Sequence, residues 1–171
     1  MPFAIELMFD SVSDASIRHM GLQLEQNGVP TSFSIKGSSP HFALSVFEEY
    51  ETTPLLTGLK KVASSTPPLR FQLSSLGTFP GKEGALFLAP SADPALLDLH
   101  MRVHRLIKGR VQGPWTHYAP GHWFPHCTVG INLSPIFLTK GYKVLQKKDF
   151  SMNGTCDRLT LVEFRPGFNS C

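Results

Sequence analysis

Pro40-His41-Phe42-Ala43-Leu44 and Pro125-His126-Cys127-Thr128-Val129 follow one plan and stand about half the chain apart. Successive side chains of a strand face opposite ways. The alternation therefore predicts His41, Ala43 and Ser45 on one face of the first segment and Phe42, Leu44 and Val46 on the other. In the second, His126, Thr128 and Gly130 oppose Cys127, Val129 and Ile131. Each strand would bury an apolar face and present a histidine followed by small residues. Those small neighbours leave room beside each imidazole for a tetrahedral anion about the size of phosphate. With a reference pKa near ~6.5, histidine supplies either protonation state close to neutrality, so a pair can divide acid and base duties. A single histidine of this kind reads as a hydrogen-bonded strand residue; two matched copies point to a site.

Working outward, three further segments open with a capping residue followed by proline: Thr53-Pro54, Asp93-Pro94 and Ser134-Pro135. The side-chain oxygen of the first residue satisfies an orphan amide, and the proline has none to satisfy, so each predicts a helix start. Apolar residues follow at helical spacing: Leu55, Leu56, Leu59 and Val62; Leu96, Leu99, Val103, Leu106 and Ile107; Phe137, Leu138, Tyr142 and Leu145. A fourth helix is predicted from Ser13 to Gln26, stopped by Asn27-Gly28. Strands are predicted at Phe3–Phe9, Thr31–Lys36, His41–Phe47, Leu69–Leu76, Ala85–Leu88, His126–Leu133 and Leu159–Phe164. Strands and helices are interspersed with no long linker, which predicts one α+β domain over residues 1–171, built as two similar lobes.

The 171 residues are 42% apolar and 17% charged, enough for a core without disulfides or a structural metal. Glu6 and Asp10 fall where a signal peptide needs a basic and then an apolar region, and no apolar run reaches the ~18 residues of a membrane span. The three cysteines, Cys127, Cys156 and Cys171, are odd in number and lack metal-type spacing. A cytoplasmic protein is expected. The net charge of +3 is too mild for extended phosphate neutralisation and suits a small anion or a nucleic acid end.

The paired histidine motifs resemble those of the two-histidine phosphoesterase superfamily, which includes the 2′-5′ RNA ligase-like proteins and cyclic phosphodiesterases. Its signature is a pair of His-x-Thr/Ser motifs, each followed by an apolar residue, one in each half of a bilobal fold. Leu76-Gly77-Thr78-Phe79-Pro80, Leu86-Phe87-Leu88-Ala89-Pro90, the helix around Leu99-His100 and Trp123-Phe124 also look like that family. The resemblance implies an α+β fold of two pseudo-symmetric lobes of antiparallel-rich sheet, flanking helices and a central cleft. It implies His41 and His126 as catalytic acid and base, with His126 the base by analogy, and Thr128 on a non-bridging phosphate oxygen. The implied reaction is metal-independent and cofactor-free opening of a 2′,3′-cyclic phosphate, or cleavage of a related cyclic or 2′-5′ linkage, on a nucleotide or RNA end. No obligate protein partner is implied, and the chain is read as a monomer. Ala43 departs from the signature. The missing hydroxyl forfeits a hydrogen bond to a charged group worth ~1.5–3 kcal/mol, leaving only backbone donors at Ala43, so a catalytically weak or inactive nucleotide-binding module on the same fold is the alternative.

Trp123, Tyr118 and Phe124 crowd the approach to His126, where an aromatic face can stack a base; Trp123 is the first choice for a ligand contact, and Phe124 is equally well read as core. His117, His122 and His126 have superficial metal spacing, but Pro120, Gly121 and Pro125 make their segment a loop, and no metal site is assigned. His100 and His104 lack a third ligand and read as partly buried; His19 reads as structural or exposed. Arg102, Arg105, Lys108 and Arg110 read first as a solvated face and second as a phosphate or RNA contact. With no Walker-type Gly-x4-Gly-Lys-Ser/Thr, an ATP-consuming ligase is disfavoured.

Overall fold

The computed structural model describes residues 1–34, 38–79, 84–91, 93–147 and 151–163. Along the chain run β1 (Phe3–Phe9), α1 (Ser11–Gln26), β2 (His41–Phe47), β3 (Glu49–Tyr50), α2 (Thr52–Ser64), β4 (Leu69–Thr78), β5 (Gly84–Pro90), α3 (Pro94–Ile107), β6 (Val111–Gln112), β7 (Cys127–Leu133), α4 (Pro135–Gln146) and β8 (Met152–Glu163). Six strands form one sheet in the order β2-β1-β8-β4-β5-β7, and β3 pairs with β6. Every pairing is antiparallel. The large sheet divides into mirrored halves, β2-β1-β8 and β7-β5-β4, joined where β8 meets β4. Each half places its histidine strand at the outer edge. The two edges also approach each other, with β2 and β7 in contact. No helix among the described residues is long and apolar enough to cross a membrane.

One buried cluster spans both halves: Ile5, Leu7 and Phe9 of β1, Phe42 and Leu44 of β2, Phe71 and Leu73 of β4, Leu86 and Leu88 of β5 and Val129 of β7 meet Ile17, Leu24, Leu99 and Val103 from the helices. The glycine near the start of β8 is demanded by this packing, since a Cβ on Gly154 would lie 2.4 Å from the Phe71 ring. That glycine, with Asn153 and Asp157, also interrupts the apolar alternation. The sequence pattern accordingly shows only the second half of β8, which begins at Met152 rather than Leu159; the predicted end at Phe164 lies outside the described residues.

Three further expectations are corrected. Thr31–Lys36 is not a strand as far as it is described: Ser32–Ser34 forms a 3-10 turn, and residues 35–37 lie outside the described residues. Pro30 precedes this turn, Phe33 packs on Gly21 of α1, and the Ser32 hydroxyl donates to the Thr128 carbonyl, so tertiary anchors replace a ladder. Thr53 is not a cap. The helix α2 starts two residues earlier, with Glu51 at the cap position and no side-chain cap bond, whereas Asp93 and Ser134 cap α3 and α4 as predicted.

The third correction concerns the histidine strands. Glu6 pairs with Ala43 but Ile5 with Ser45, leaving Leu44 as an extra residue in β2. Phe87 pairs with Thr128 but Leu86 with Gly130, leaving Val129 extra in β7. A bulge resets the alternation, so Ser45 and Gly130 turn to the core side and Val46 joins Ala43 on the other face, contrary to the simple period of two. Both bulges fall three residues after the histidine.

Capping predicts a contrast in stability. Asp93→Ala removes the acceptor for the Ala95 and Leu96 amides and is expected to cost about 1 kcal/mol. Thr53→Ala is expected to stay within about 0.5 kcal/mol of wild type. Urea unfolding of the two variants checks both values.

Candidate active site

Each motif histidine follows a proline. The residue before a proline is held extended, and in both motifs its carbonyl meets the imidazole: His41 Nδ1 lies 2.7 Å from Ser39 O and His126 Nδ1 2.7 Å from Phe124 O. A carbonyl only accepts, so Nδ1 carries the hydrogen in both rings and Nε2 is left as the nitrogen that can exchange a proton with a substrate. The sequence Pro-His thus sets both tautomers. Arg18 steadies the first loop by donating to Ser39 Oγ at 2.9 Å and Ser38 O at 3.3 Å, while Asp14 accepts from it at 2.7 Å.

Edge strands leave carbonyls with no strand to pair with. Here side-chain donors take them at matching positions: Trp123 Nε1–H donates to Ala43 O at 2.9 Å, and Ser32 Oγ–H donates to Thr128 O at 2.9 Å. His104 Nε2 adds a bond to Leu44 O at 3.1 Å. Trp123 therefore belongs to the wall that seals β2. Its ring stacks on His100, with centroids 4.0 Å apart and planes 2° apart. Tyr118 is buried in the same wall against Ala4 and Val46. Of the three aromatic residues expected at the approach, Phe124 is the open one, 51% exposed.

The surroundings of the two imidazoles differ. His126 lies against Phe79 at 4.8 Å and Phe87 at 5.4 Å between ring centroids, with Phe124 packed on the same two rings. Burial lowers its pKa, the bond to Phe124 O opposes that, and the charge of His41 lowers it further, so the two imidazoles sense each other across the strand edges. Gly77 makes this aromatic floor possible, because a Cβ there would meet the Phe87 ring at 2.5 Å. His41 instead faces a carboxylate: Glu6 Oε1 is 3.4 Å from His41 Nε2. Thr128 stands two residues beyond His126, opposite Phe87, and Ala43 stands opposite Glu6.

Sequence reading named both histidines, Thr128 and Ala43 as site residues; it did not name among them Glu6, Phe79 or Phe87, which the structure places beside the two imidazoles. A charge inside the apolar strand Phe3–Phe9 was the available signal for Glu6. The other polar candidates are bonded within the fold or exposed. Arg102 donates to Thr66 Oγ1, Ser65 Oγ and Val62 O at the end of α2, and Arg110 donates to Leu106 O. Arg105 and Lys108 are exposed. His19 is exposed and bonded to Gln23, and His117 and His122 are exposed in the loop before β7. Among the described residues, no three His, Cys, Asp or Glu side chains converge as a metal site.

A family model described as the 2′-5′ RNA ligase superfamily matches residues 13–167. No curated protein matches the chain by sequence. Among solved structures, one titled as a phosphoesterase is 14% identical, with 96% of this chain and 90% of that chain covered and a TM-score of 0.60. Usb1 of Kluyveromyces marxianus is 12% identical, with 94% and 93% covered and a TM-score of 0.57. At these identities the likeness is one of fold.

The wall behind Trp123 makes the fold acid-sensitive. His100 is buried with Nε2 bonded to Tyr118 O at 2.8 Å, and burial pulls its pKa down to about 4. Once unfolded it binds a proton near ~6.5, so between these values the unfolded chain holds more protons and stability falls as pH falls. The slope from this group reaches at most ~1.4 kcal/mol per pH unit. Urea unfolding at pH 7 and pH 4.5 is expected to show a larger acid loss for wild type than for His100→Gln, whose amide still donates.

Proposed function

Because the chain belongs to the 2′-5′ RNA ligase superfamily, we propose that it is a phosphodiesterase opening a 2′,3′-cyclic phosphate, or cleaving a related cyclic or 2′-5′ linkage, on a nucleotide or RNA end. The observation that carries the reading is the matched pair of imidazoles, each fixed through Nδ1 to a carbonyl two residues back and each left with Nε2 as its exchanging nitrogen. The matching bulges and edge caps support it, since they repeat the local geometry in both halves of the sheet.

The surroundings favour a division of labour. His126, neutral because burial lowers its pKa, takes a proton from the attacking water while the water oxygen bonds to phosphorus. His41, with a carboxylate beside it, gives the Nε2 proton to the ribose oxygen whose bond to phosphorus breaks. The product is a phosphomonoester and a free hydroxyl, and solvent returns the two histidines to their starting states. Thr128 would donate to a non-bridging oxygen; Phe124 offers a face for a nucleobase. No step calls on a metal ion or cofactor from the residues described, and both halves of the sheet contribute one imidazole.

The alanine in the first motif favours a second reading, nucleotide binding without turnover, and one experiment separates the two. A panel of 2′,3′-cyclic nucleotides, oligonucleotides ending in a cyclic phosphate, and 2′-5′ dinucleotides is assayed in EDTA. Turnover is expected to persist in chelator, with a bell-shaped dependence of kcat/KM on pH. His41→Ala and His126→Ala are each expected to lower kcat/KM by ~10²–10⁴-fold. Wild-type rates in both folded alanine variants would remove the catalytic assignment, and binding without turnover in the wild type would establish the module instead.

A further inference from the structure

We propose that Glu6 is a positioning residue of this site, holding a single proton in common with His41 Nε2 so that the imidazole stands ready to protonate the leaving oxygen. The inference rests on the phosphodiesterase reading and adds to it a residue outside both histidine motifs. Its geometry is cross-strand. Glu6 sits on β1 directly opposite Ala43, its side chain is 13% exposed, and Oε1 lies 3.4 Å from His41 Nε2. Because Nδ1–H is already committed to Ser39 O, Nε2 and the carboxylate attract only if one proton lies between them, as imidazolium beside carboxylate or as imidazole beside carboxylic acid. With no proton between them, two lone pairs would face each other in a repulsive contact. When the proton passes to the leaving oxygen, His41 becomes neutral and Glu6 stays anionic, which in turn draws the next proton from solvent back to the pair.

The alanine at position 43 fits this arrangement. Paired residues of an antiparallel ladder hold their Cβ atoms ~4.5–5.5 Å apart, and a hydroxyl at position 43 would give the carboxylate a competing donor; a methyl leaves it to His41. The two halves of the sheet differ at this same point, since the residue opposite Thr128 is Phe87. The groups around Glu6 are few. From β8 the residue opposite it is Thr160, and Arg158, exposed, lies opposite Met8; from β2 it meets His41; His126, just before β7, interacts with His41; in the wall Tyr118 packs on Ala4 and Val46. Burial raises the Glu6 carboxyl above its ordinary range, and His41 pulls it back down.

The test compares pH profiles of kcat/KM for wild type and Glu6→Gln on the cyclic nucleotide turned over best. Loss of the carboxylate is expected to move the basic limb, where the acid loses its proton, about 1 pH unit lower, while the acidic limb set by His126 stays in place. A profile of unchanged shape, merely scaled down, would mean a structural role and overturn the proposal. A second measurement needs no turnover: the Glu6 side-chain 13C resonance is titrated in wild type and in His41→Ala. The midpoint is expected to rise when His41 is removed. Equal midpoints overturn the proposal whether or not the protein is an enzyme, and a wild type that turns over nothing in the panel refutes the phosphodiesterase reading while leaving this titration to decide on Glu6.

Discussion

Two hydrogen bonds, from His41 Nδ1 to Ser39 O and from His126 Nδ1 to Phe124 O, are the constraint on which the site depends. Each comes from a proline preceding a histidine. The proline forces the residue before it into an extended conformation, and the carbonyl so aimed can only accept, so it selects one tautomer and one ring orientation together. An imidazole free to rotate would divide its population between tautomers and hold neither nitrogen in a fixed place. The loop in front of the first motif is itself held, through Arg18 and Asp14, so the orientation of His41 is referred back to helix α1.

The sheet supplies the second layer of constraint. The histidine strands are its edges, and an edge ordinarily invites another strand. Here the exposed carbonyls of Ala43, Leu44 and Thr128 are taken by the donors of Trp123, His104 and Ser32. Side chains of a loop, a helix and a turn thus end the sheet without extending it. The bulges at Leu44 and Val129 serve the same end, because an extra residue lets the motif face outward for two alternating positions and then returns the strand to the core.

The four helices, two of the three proline-capped helix starts and both motif strands were legible in the sequence, because each rests on local chemistry: a side-chain oxygen beside an orphan amide, a period of 2, a period of 3.6; the short strands β3 and β6 were not. What escaped was set by partners distant in sequence. The first half of β8 is a strand through its place between β1 and β4, its own residues Asn153 and Gly154 arguing otherwise. Ser45 reads as cleft-facing until the register with Ile5 reveals a bulge. That Trp123 stacks on His100 was likewise not legible, since the two residues lie on separate elements. Phe87 shows in sequence only as an apolar strand residue; its position beside His126 depends on the absence of a side chain at Gly77 across the ladder.

Duplication of a motif invites the inference that the two halves do the same thing, but acid and base catalysis needs them to differ. A pair of imidazoles in identical surroundings would protonate alike, and the state with one charged and one neutral would have two equivalent forms, only one of which suits a given direction of attack. The difference is introduced on the neighbouring strands, outside the motifs. At equivalent ladder positions β1 places Glu6 opposite Ala43 and β5 places Phe87 opposite Thr128, so one imidazole lies beside a carboxylate and the other against aromatic rings. A carboxylate favours the charged form of its neighbour and desolvation favours the neutral form. The motifs therefore repeat the setting of the two nitrogens, and the strands beside them give the two rings different surroundings.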